Sequence, residues 1–431
     1  MWFEVVSRGC HHQQHRQHHP TTALPQQSTV NPMVAPFIRP DLDQLPAYVP
    51  GKSDPTALKL SSNEMSQGPL PTVTEALNST VENPATSLNR YPDMAGVQLR
   101  MALADFLNSE ATNTKTTNAR NTNPAPLTLE NVALGCGSSA LCLQLVQIAC
   151  SSASDEVIFP WRSFEAYPIL TRIAGATPVP IPLRDHRNDL EAMVTAVTDD
   201  TRLVFICNPN NPTGTMVSAE DIERFLAQIP PHIIVALDEA YIELAAPSQS
   251  AGPGFSRRLI DSHNNLVVLR TFSKVYGLAG LRVGYAFGST HLIGALNKVA
   301  VPFAVNALGQ AAALASLQAQ DELRTRVREV QCQRVRLTQT INDATSDGTV
   351  VADSQANFVW VPASHAGRLL ALVGSVPSLS NENTLDDESL TLTAALAERG
   401  ILVRCFAGEG VRITVTTEQE TNQLLRALNL V

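Results

Sequence analysis

From about residue 130 the chain alternates between short runs that are almost continuously apolar and stretches whose apolar residues recur every three or four positions. The runs are DEVIFP (155–160), TPVPIPL (177–183), RLVFICNP (202–209), HIIVALDEAY (232–241), NLVVLRTFSK (265–274) and LRVGYAFG (281–288). A strand with one wet face alternates apolar and polar residues. These runs do not, so they read as strands covered on both faces, as in a mostly parallel sheet. Between them SAEDIERFLAQI (218–229) has helical spacing, with Ser218 placed as its N-cap. The pattern predicts an α/β fold: a large doubly wound domain.

After about residue 300 the texture changes. One long helical stretch, NALGQAAALASLQAQDELRTRVREVQCQRVRLTQTI, leads into the separated runs SQANFVWVP, TAALAERGILVRCF and GVRITV. Helices followed by isolated strands predict a smaller α+β domain. The expected boundaries are an extension over 1–36, an N-terminal arm over 37–80 that belongs to the small domain, a large domain over 81–300 and the small C-terminal domain over 301–431. The extension is rich in His, Gln and Pro and has no apolar periodicity, so it is expected to be disordered, with the functional protein starting near Met33. Two polar insertions, 109–126 and 375–391, read as surface loops.

Composition narrows the function classes. The 431 residues are 44% hydrophobic and 16% charged, enough for a sizeable core, and carry a formal charge of −9. That balance argues against nucleic acid as a partner, though not against a small anion in a local basic site. No apolar run approaches the length of a membrane span. The seven cysteines are scattered, odd in number and without a CxxC pair. They predict reduced thiols in a cytoplasmic protein, not a disulfide frame or a metal site.

The candidate chemistry gathers where the apolar runs end. There stand NPNNPTG (208–214), LDEAY (237–241), TFSK (271–274) and Arg282, while upstream GCGSSALCLQLVQIAC (135–150) is a glycine-rich turn running into an apolar helix. Ligands bind at the carboxyl ends of parallel strands, and a helix start offers backbone N–H groups to an anion. Each signal alone is open to a bland reading. GCGSSA also fits a dinucleotide fingerprint, Asp238 could be a helix cap or ion-pair partner, and NPTG could be only a turn. Lys274 is one of five lysines, and it alone follows a buried-strand pattern. Together, an amine, a carboxylate, a hydroxyl, an arginine and an anion-ready helix start match the needs of pyridoxal 5′-phosphate. Its aldehyde needs a lysine, its pyridine nitrogen a carboxylate, and its phosphate donors and positive charge.

With YVPGK (48–52), WRSFEAYPI (161–169), FSKVYGLAGLRVGYA (272–286), SQANFVW (354–360) and the short interval between Arg404 and Arg412, the chain resembles the fold-type I pyridoxal-phosphate aminotransferases. Within them it is similar to the histidinol-phosphate aminotransferase subgroup, and there to the aromatic (phenylalanine) aminotransferases. The resemblance runs from about residue 37 to the C-terminus. It implies that Lys274 bonds the cofactor and moves the substrate proton. Asp238 would hold the pyridinium proton, and Asn211 and Tyr241 would bind O3′. Ser138, Ser139, Ser273 and Arg282 would take the phosphate, and Phe164 would stack on the ring. Arg412 would grip the substrate α-carboxylate, with Asn63 and Tyr48 as further substrate contacts. Tyr91 would reach the phosphate of a neighbouring subunit, which implies a homodimer.

The reaction so implied is ping-pong transamination between aromatic amino acids and 2-oxoglutarate, with histidinol-phosphate transamination as the alternative. A lyase, a decarboxylase or a non-catalytic binding protein on the same scaffold are the other classes. Two departures count against histidinol phosphate. Met65 and Ser66 replace a common asparagine–proline pair, and CFAGEG (405–410) is shorter than the loop many of those enzymes carry. Arg162 stands where the subgroup usually has proline.

Overall fold

Along β5 (Thr201–Cys207), Leu203, Phe205 and Cys207 enter one hydrophobic core while Val204 and Ile206 enter another. This period of two, with both faces buried, is the physical content of an uninterrupted apolar run. Strand β7 (Leu266–Thr271) does the same, sending Val267 and Leu269 one way and Leu266 and Val268 the other.

The computed structural model describes residues 37–39, 42–43, 45, 54–83, 88–113, 125–246, 252–345, 348, 350, 353–374 and 387–431. The 1–36 extension with Met33, the segment YVPGK with Tyr48, and most of both polar insertions lie outside the described residues. Residues 1–40 form one unit, in which 37–39 have no regular structure, and residues 41–431 form the other.

Within the second unit, β5 and β7 belong to a seven-stranded sheet. The other members are β2 (Val132–Cys136), β3 (Glu156–Trp161), β4 (Thr177–Pro182), β6 (Ile234–Asp238) and β8 (Val283–Gly288), in the order β2-β8-β7-β6-β5-β3-β4. All neighbours run parallel except β8, which is antiparallel to both β7 and β2. Strand β2 is one the apolar-run pattern does not flag, since VALGC is short and merges into the glycine turn. The helix over 218–229 forms as Ala219–Leu226, and Ser218 caps it by accepting from the Asp221 N–H.

A second sheet of four strands has the order β1-β10-β11-β9. Its members are β1 (Leu58–Leu60), β9 (Phe358–Pro362), β10 (Ile401–Phe406) and β11 (Gly410–Thr414), with β1 parallel to β10 and the others antiparallel. Leu60, Val359, Val361, Val403, Val411 and Ile413 build its separate core.

The long helical pattern after residue 305 is divided at Ala319 into Ala307–Gln318 and Gln320–Thr345. The two helices link the cores. Ala312, Ala313, Leu323 and Val330 pack under the seven-stranded sheet, and Leu337 and Ile341 under the four-stranded one. Leu70 and Val73 also join the larger core, so residues from both segments read as the small domain help to bury the large sheet. Among the described residues no helix is long and apolar enough to cross a membrane.

Candidate active site

Strands β5, β6 and β7 end side by side, and the residues just beyond them open into one cavity that β1, β10 and β11 close from the other sheet. Eleven of the thirteen sequence-predicted site residues line it. Four cationic side chains (Lys274, Arg282, Arg404, Arg412) face two acidic ones (Asp238, Glu165) there. A chain of net −9 thus carries an anion-collecting site.

Asp238 is the last residue of β6 and is 3% exposed. Alternation along the strand sends it to the cavity and the adjacent Glu239 away, to Arg270 at 2.8 Å. The Tyr167 hydroxyl donates to Asp238 Oδ2 at 2.7 Å, and the Ala240 N–H donates to Oδ1 at 3.2 Å. Burial raises the proton affinity of the carboxyl, against these hydrogen bonds and the charge of Lys274.

Lys274 lies three residues past β7, partly exposed, and that exposure is to the cavity. Its Nζ is 5.4 Å from the centre of the Tyr241 ring. Burial, then the nearby charges of Arg412 and Arg282, push the amine down to about 8, against the pull of Glu64 and Asp238. A lysine so placed holds much of its amine neutral near pH 8, as a nucleophile or proton acceptor requires. Cys207 also lines the cavity, but burial pushes its thiol up to about 12, which rules it out as a thiolate nucleophile.

One end of the cavity is built for an anion. The helix Ser138–Ala149 begins there, its N-cap being Gly137 at φ 74° with no side-chain cap. A Cβ on Gly137 would sit 2.3 Å from Arg282 Nη2, so glycine is what lets the guanidinium lie over the helix start. Arg282 Nη1 donates to Ser273 Oγ at 3.2 Å and to the Ala279 carbonyl at 2.9 Å. Thr271 Oγ1 donates to Ser273 Oγ at 3.0 Å. Hydroxyls, N–H groups, a helix dipole and a guanidinium converge, as a phosphate cradle demands.

The opposite side comes from the smaller sheet. Arg412 of β11 is 6% exposed, and donates from Nη1 to Asn211 Oδ1 at 2.5 Å and from Nη2 to the Ser61 carbonyl at 2.7 Å. Asn63, at φ 55°, donates from Nδ2 to the Tyr241 hydroxyl at 3.0 Å. Its backbone N–H donates to Thr414 Oγ1 at 3.0 Å, and that hydroxyl donates back to Asn63 Oδ1 at 3.2 Å. Phe164 is in the lining while Trp161 is not, which separates the two aromatic candidates of that segment. Arg162 instead carries its guanidinium over the Trp161 ring at 4.1 Å and pairs with Glu409, its Nε being 2.7 Å from Oε2.

Two expected residues stand apart. Tyr48 lies outside the described residues. Tyr91 is 82% exposed and stacks on Phe303 with ring centres 4.6 Å apart, away from this cavity. Sequence reasoning in turn passes over Tyr167, Thr271 and Glu165, and reads Arg404 only as a surface or ion-pair arginine, whereas it pairs with Glu165 at 3.0 Å and lines the cavity. Tyr167 and Glu165 fall inside the quoted WRSFEAYPI, yet no local pattern names their partners, which are 71 and 239 positions away.

Residues 55–428 match the family aminotransferase class I and II. The aromatic amino acid aminotransferase of Corynebacterium efficiens is 48% identical over 393 residues, 91% of this chain and 98% of that one. Its counterpart in Corynebacterium jeikeium is 47% identical over 395 residues, 91% and 93% of the two chains. Among solved structures, histidinol-phosphate aminotransferase from Sinorhizobium meliloti, in complex with pyridoxal 5′-phosphate, is 26% identical with a TM-score of 0.72 over 92% of this chain and 97% of that one. Aspartate aminotransferase from Thermus thermophilus with maleate, 22% identical, shares the fold with a TM-score of 0.68 over 87% and 91%.

Proposed function

The chain belongs to the class I and II aminotransferases, and from that premise we propose that it exchanges amino groups between aromatic amino acids and 2-oxoglutarate, in a ping-pong cycle on pyridoxal 5′-phosphate. The observation that carries this reading is the pairing of a lysine amine, lowered to about 8, with a buried, hydrogen-bonded Asp238 and an anion cradle in one cavity. These side chains fit the cofactor's three demands of amine, carboxylate and phosphate donors. When bound, the cofactor supplies an electron sink that stabilises negative charge at the substrate Cα.

The protein's own residues do the rest. With the cofactor bound, Lys274 Nζ would hold its aldehyde carbon, and the freed amine would carry the proton to and from the substrate Cα. Asp238, its carboxylate oriented by Tyr167, would hold a proton on the pyridine nitrogen. Asn211 and Tyr241 would bind O3′. Ser138, Ser139, Ser273 and Arg282 would hold the phosphate, and Phe164 would pack on the ring. Arg412 presents its fork to the substrate α-carboxylate, fixing the direction of the Cα–H bond. Asn63 orients Tyr241 from the substrate side.

The aromatic preference is supported by the names of relatives near 47% identity and by Phe164 in the cavity lining. Mixing the holoenzyme separately with phenylalanine and with histidinol phosphate tests it. Conversion of the cofactor's visible band at least tenfold faster by phenylalanine, about the discrimination of one good contact, is the expected result. The reverse order would make the phosphate-bearing amine the substrate. No visible band with added pyridoxal phosphate would remove the cofactor assignment altogether.

We also read the protein as a cytoplasmic homodimer. The free cysteines among the described residues support the compartment. The exposed pair Tyr91 and Phe303, with Met94 and Val301 exposed in the same two segments, supports a self-contact. Light scattering should give twice the chain mass.

A further inference from the structure

Glu239 and Arg270 form an ion pair inside the protein, Oε2 to Nε 2.8 Å, with side chains 2% and 1% exposed. Alternation puts both on the sheet face of Val235, Leu237, Leu266 and Val268, and neither lines the cavity. The same guanidinium donates from Nη1 to Glu110 Oε2 of the helix Val97–Asn113 at 2.8 Å. From Nη2 it donates to Ser256 Oγ of the helix Pro253–Leu259 at 3.3 Å. Ser256 Oγ in turn donates to Glu239 Oε2 at 3.0 Å. An ion pair buried in this way gains little over apolar residues of the same volume, because desolvation offsets the attraction. What it does supply is fixed geometry, and its position decides which geometry.

Resting on the transaminase reading above, we propose that Glu239 and Arg270 are positioning residues, which clamp the end of β6 from the reverse face so that Asp238 stays where the pyridine nitrogen is received. Asp238 and Glu239 are neighbours in the chain and point to opposite faces. A movement of one is therefore passed to the other through a single peptide unit.

The strand geometry shows why a clamp is needed there. In the ladder of β6 on β7 the last matched residues are Asp238 and Leu269. One step on, the Glu239 N–H still donates to the Leu269 carbonyl at 2.8 Å, and the chain then leaves the sheet for the short 3₁₀ turn Ile242–Leu244. Element ends open at the least cost, and the Glu239–Arg270 bond closes this one with side chains. The Tyr167 hydroxyl orients the Asp238 carboxylate from the cavity side, and the ion pair anchors its backbone from behind. Arg270 also stands just ahead of Lys274, so one guanidinium fixes the start of the segment that carries the amine. Its contact with the Phe287 ring, 5.3 Å to the centre, holds it on β8 as well.

The test sets reach against charge in the holoenzyme. Arg270 and Ser256 both donate to one oxygen of Glu239, so glutamine offers the same acceptor at the same reach, while aspartate keeps the charge one methylene short. Positioning predicts that E239Q stays within about threefold of the wild-type kcat, and that E239D loses roughly ten- to hundred-fold, the cost of misplacing a reacting group by about 1 Å. The pH midpoint of the cofactor's visible band gives a readout apart from turnover. A pyridine that loses its carboxylate partner withdraws less charge from the nitrogen of Lys274, so the midpoint should rise in E239D by about 0.5 unit or more and stay put in E239Q. R270K, which keeps the charge and loses the fork, should follow E239D, and carries the test should E239D not fold. The reverse order, with E239D normal and E239Q displaced, would make the pair a source of electric field and overturn the proposal. So would a lower melting temperature with kcat and band midpoint unchanged. A wild type without a visible band would count against the cofactor reading instead. The crystal structure of E239D would then decide the role of Glu239: loss of the Tyr167–Asp238 bond supports the clamp, and an intact bond overturns it.

Discussion

Tyr167 donates its hydroxyl to Asp238 Oδ2 at 2.7 Å, from a ring that is fully buried and stacked on Phe205 with centres 4.5 Å apart. The stack fixes the donor, and the donor fixes the carboxylate. Tyr167→Phe should keep the stack and lose the bond. One hydrogen bond to a charged group is worth about 1.5–3 kcal/mol, so kcat should fall roughly ten- to hundred-fold. The proton affinity of Asp238, already raised by burial, should rise further. A pH titration of the cofactor band together with kcat checks this, and an unchanged profile would show that Oδ2 takes no part.

Lys274 gives the pH dependence a definite sign. With its amine at about 8, covalent capture of pyridoxal phosphate should rise about tenfold per pH unit on the acid side. It should level off once the amine is mostly neutral. Stopped-flow capture by the apoenzyme between pH 6 and 10 measures it. A rise that continues to pH 10 would mean an unperturbed lysine. Lys274→Ala should abolish turnover.

Arg412→Lys replaces a fork with a point charge. It cannot keep both the Asn211 and the Ser61 contacts and also clamp a carboxylate. Loss of one charge-assisted contact predicts a kcat/KM for amino acids lower by roughly ten- to hundred-fold. The phosphate cradle lies at the other end of the cavity, so the larger effect should fall on amino-acid kinetics.

Gly137→Ala places a Cβ against Arg282 Nη2 and strains a backbone at φ 74°. Either the guanidinium moves off the helix start or the turn opens. Both lower cofactor affinity, by about tenfold if one charged contact is lost. Equilibrium titration with pyridoxal phosphate checks it, and an unchanged Kd would place the phosphate elsewhere.

The legible part of the fold and site follows from where apolar runs stop. Asp238 ends such a run, Asn211 and Lys274 follow one within a few residues, and in a parallel sheet those ends share one edge. Arg412, on a short strand, and Asn63, just past one, are legible only through resemblance, since nothing local marks one arginine or one asparagine among many. Tyr167 and the Glu165–Arg404 pair are hidden for a different reason. Their meaning lies in contacts across 71 and 239 positions, which no local pattern along the chain displays. The boundary near residue 300 is blurred because the alanine-rich helix after it packs under the larger sheet.

The bonds that tie Ser61 and Asn63 to Arg412 and Thr414 span 351 positions. They give the site a timetable. A chain emerging from the ribosome completes Ser138, Asp238, Lys274 and Arg282 with well over a hundred residues still to come. Those elements can begin to pack while synthesis continues. The substrate-facing wall has to wait for β10 and β11, among the last strands made, to arrive beside β1, which was made first and left without its partner. The nascent protein can therefore gather its anion cradle early, and becomes able to grip an amino acid only when its two ends meet.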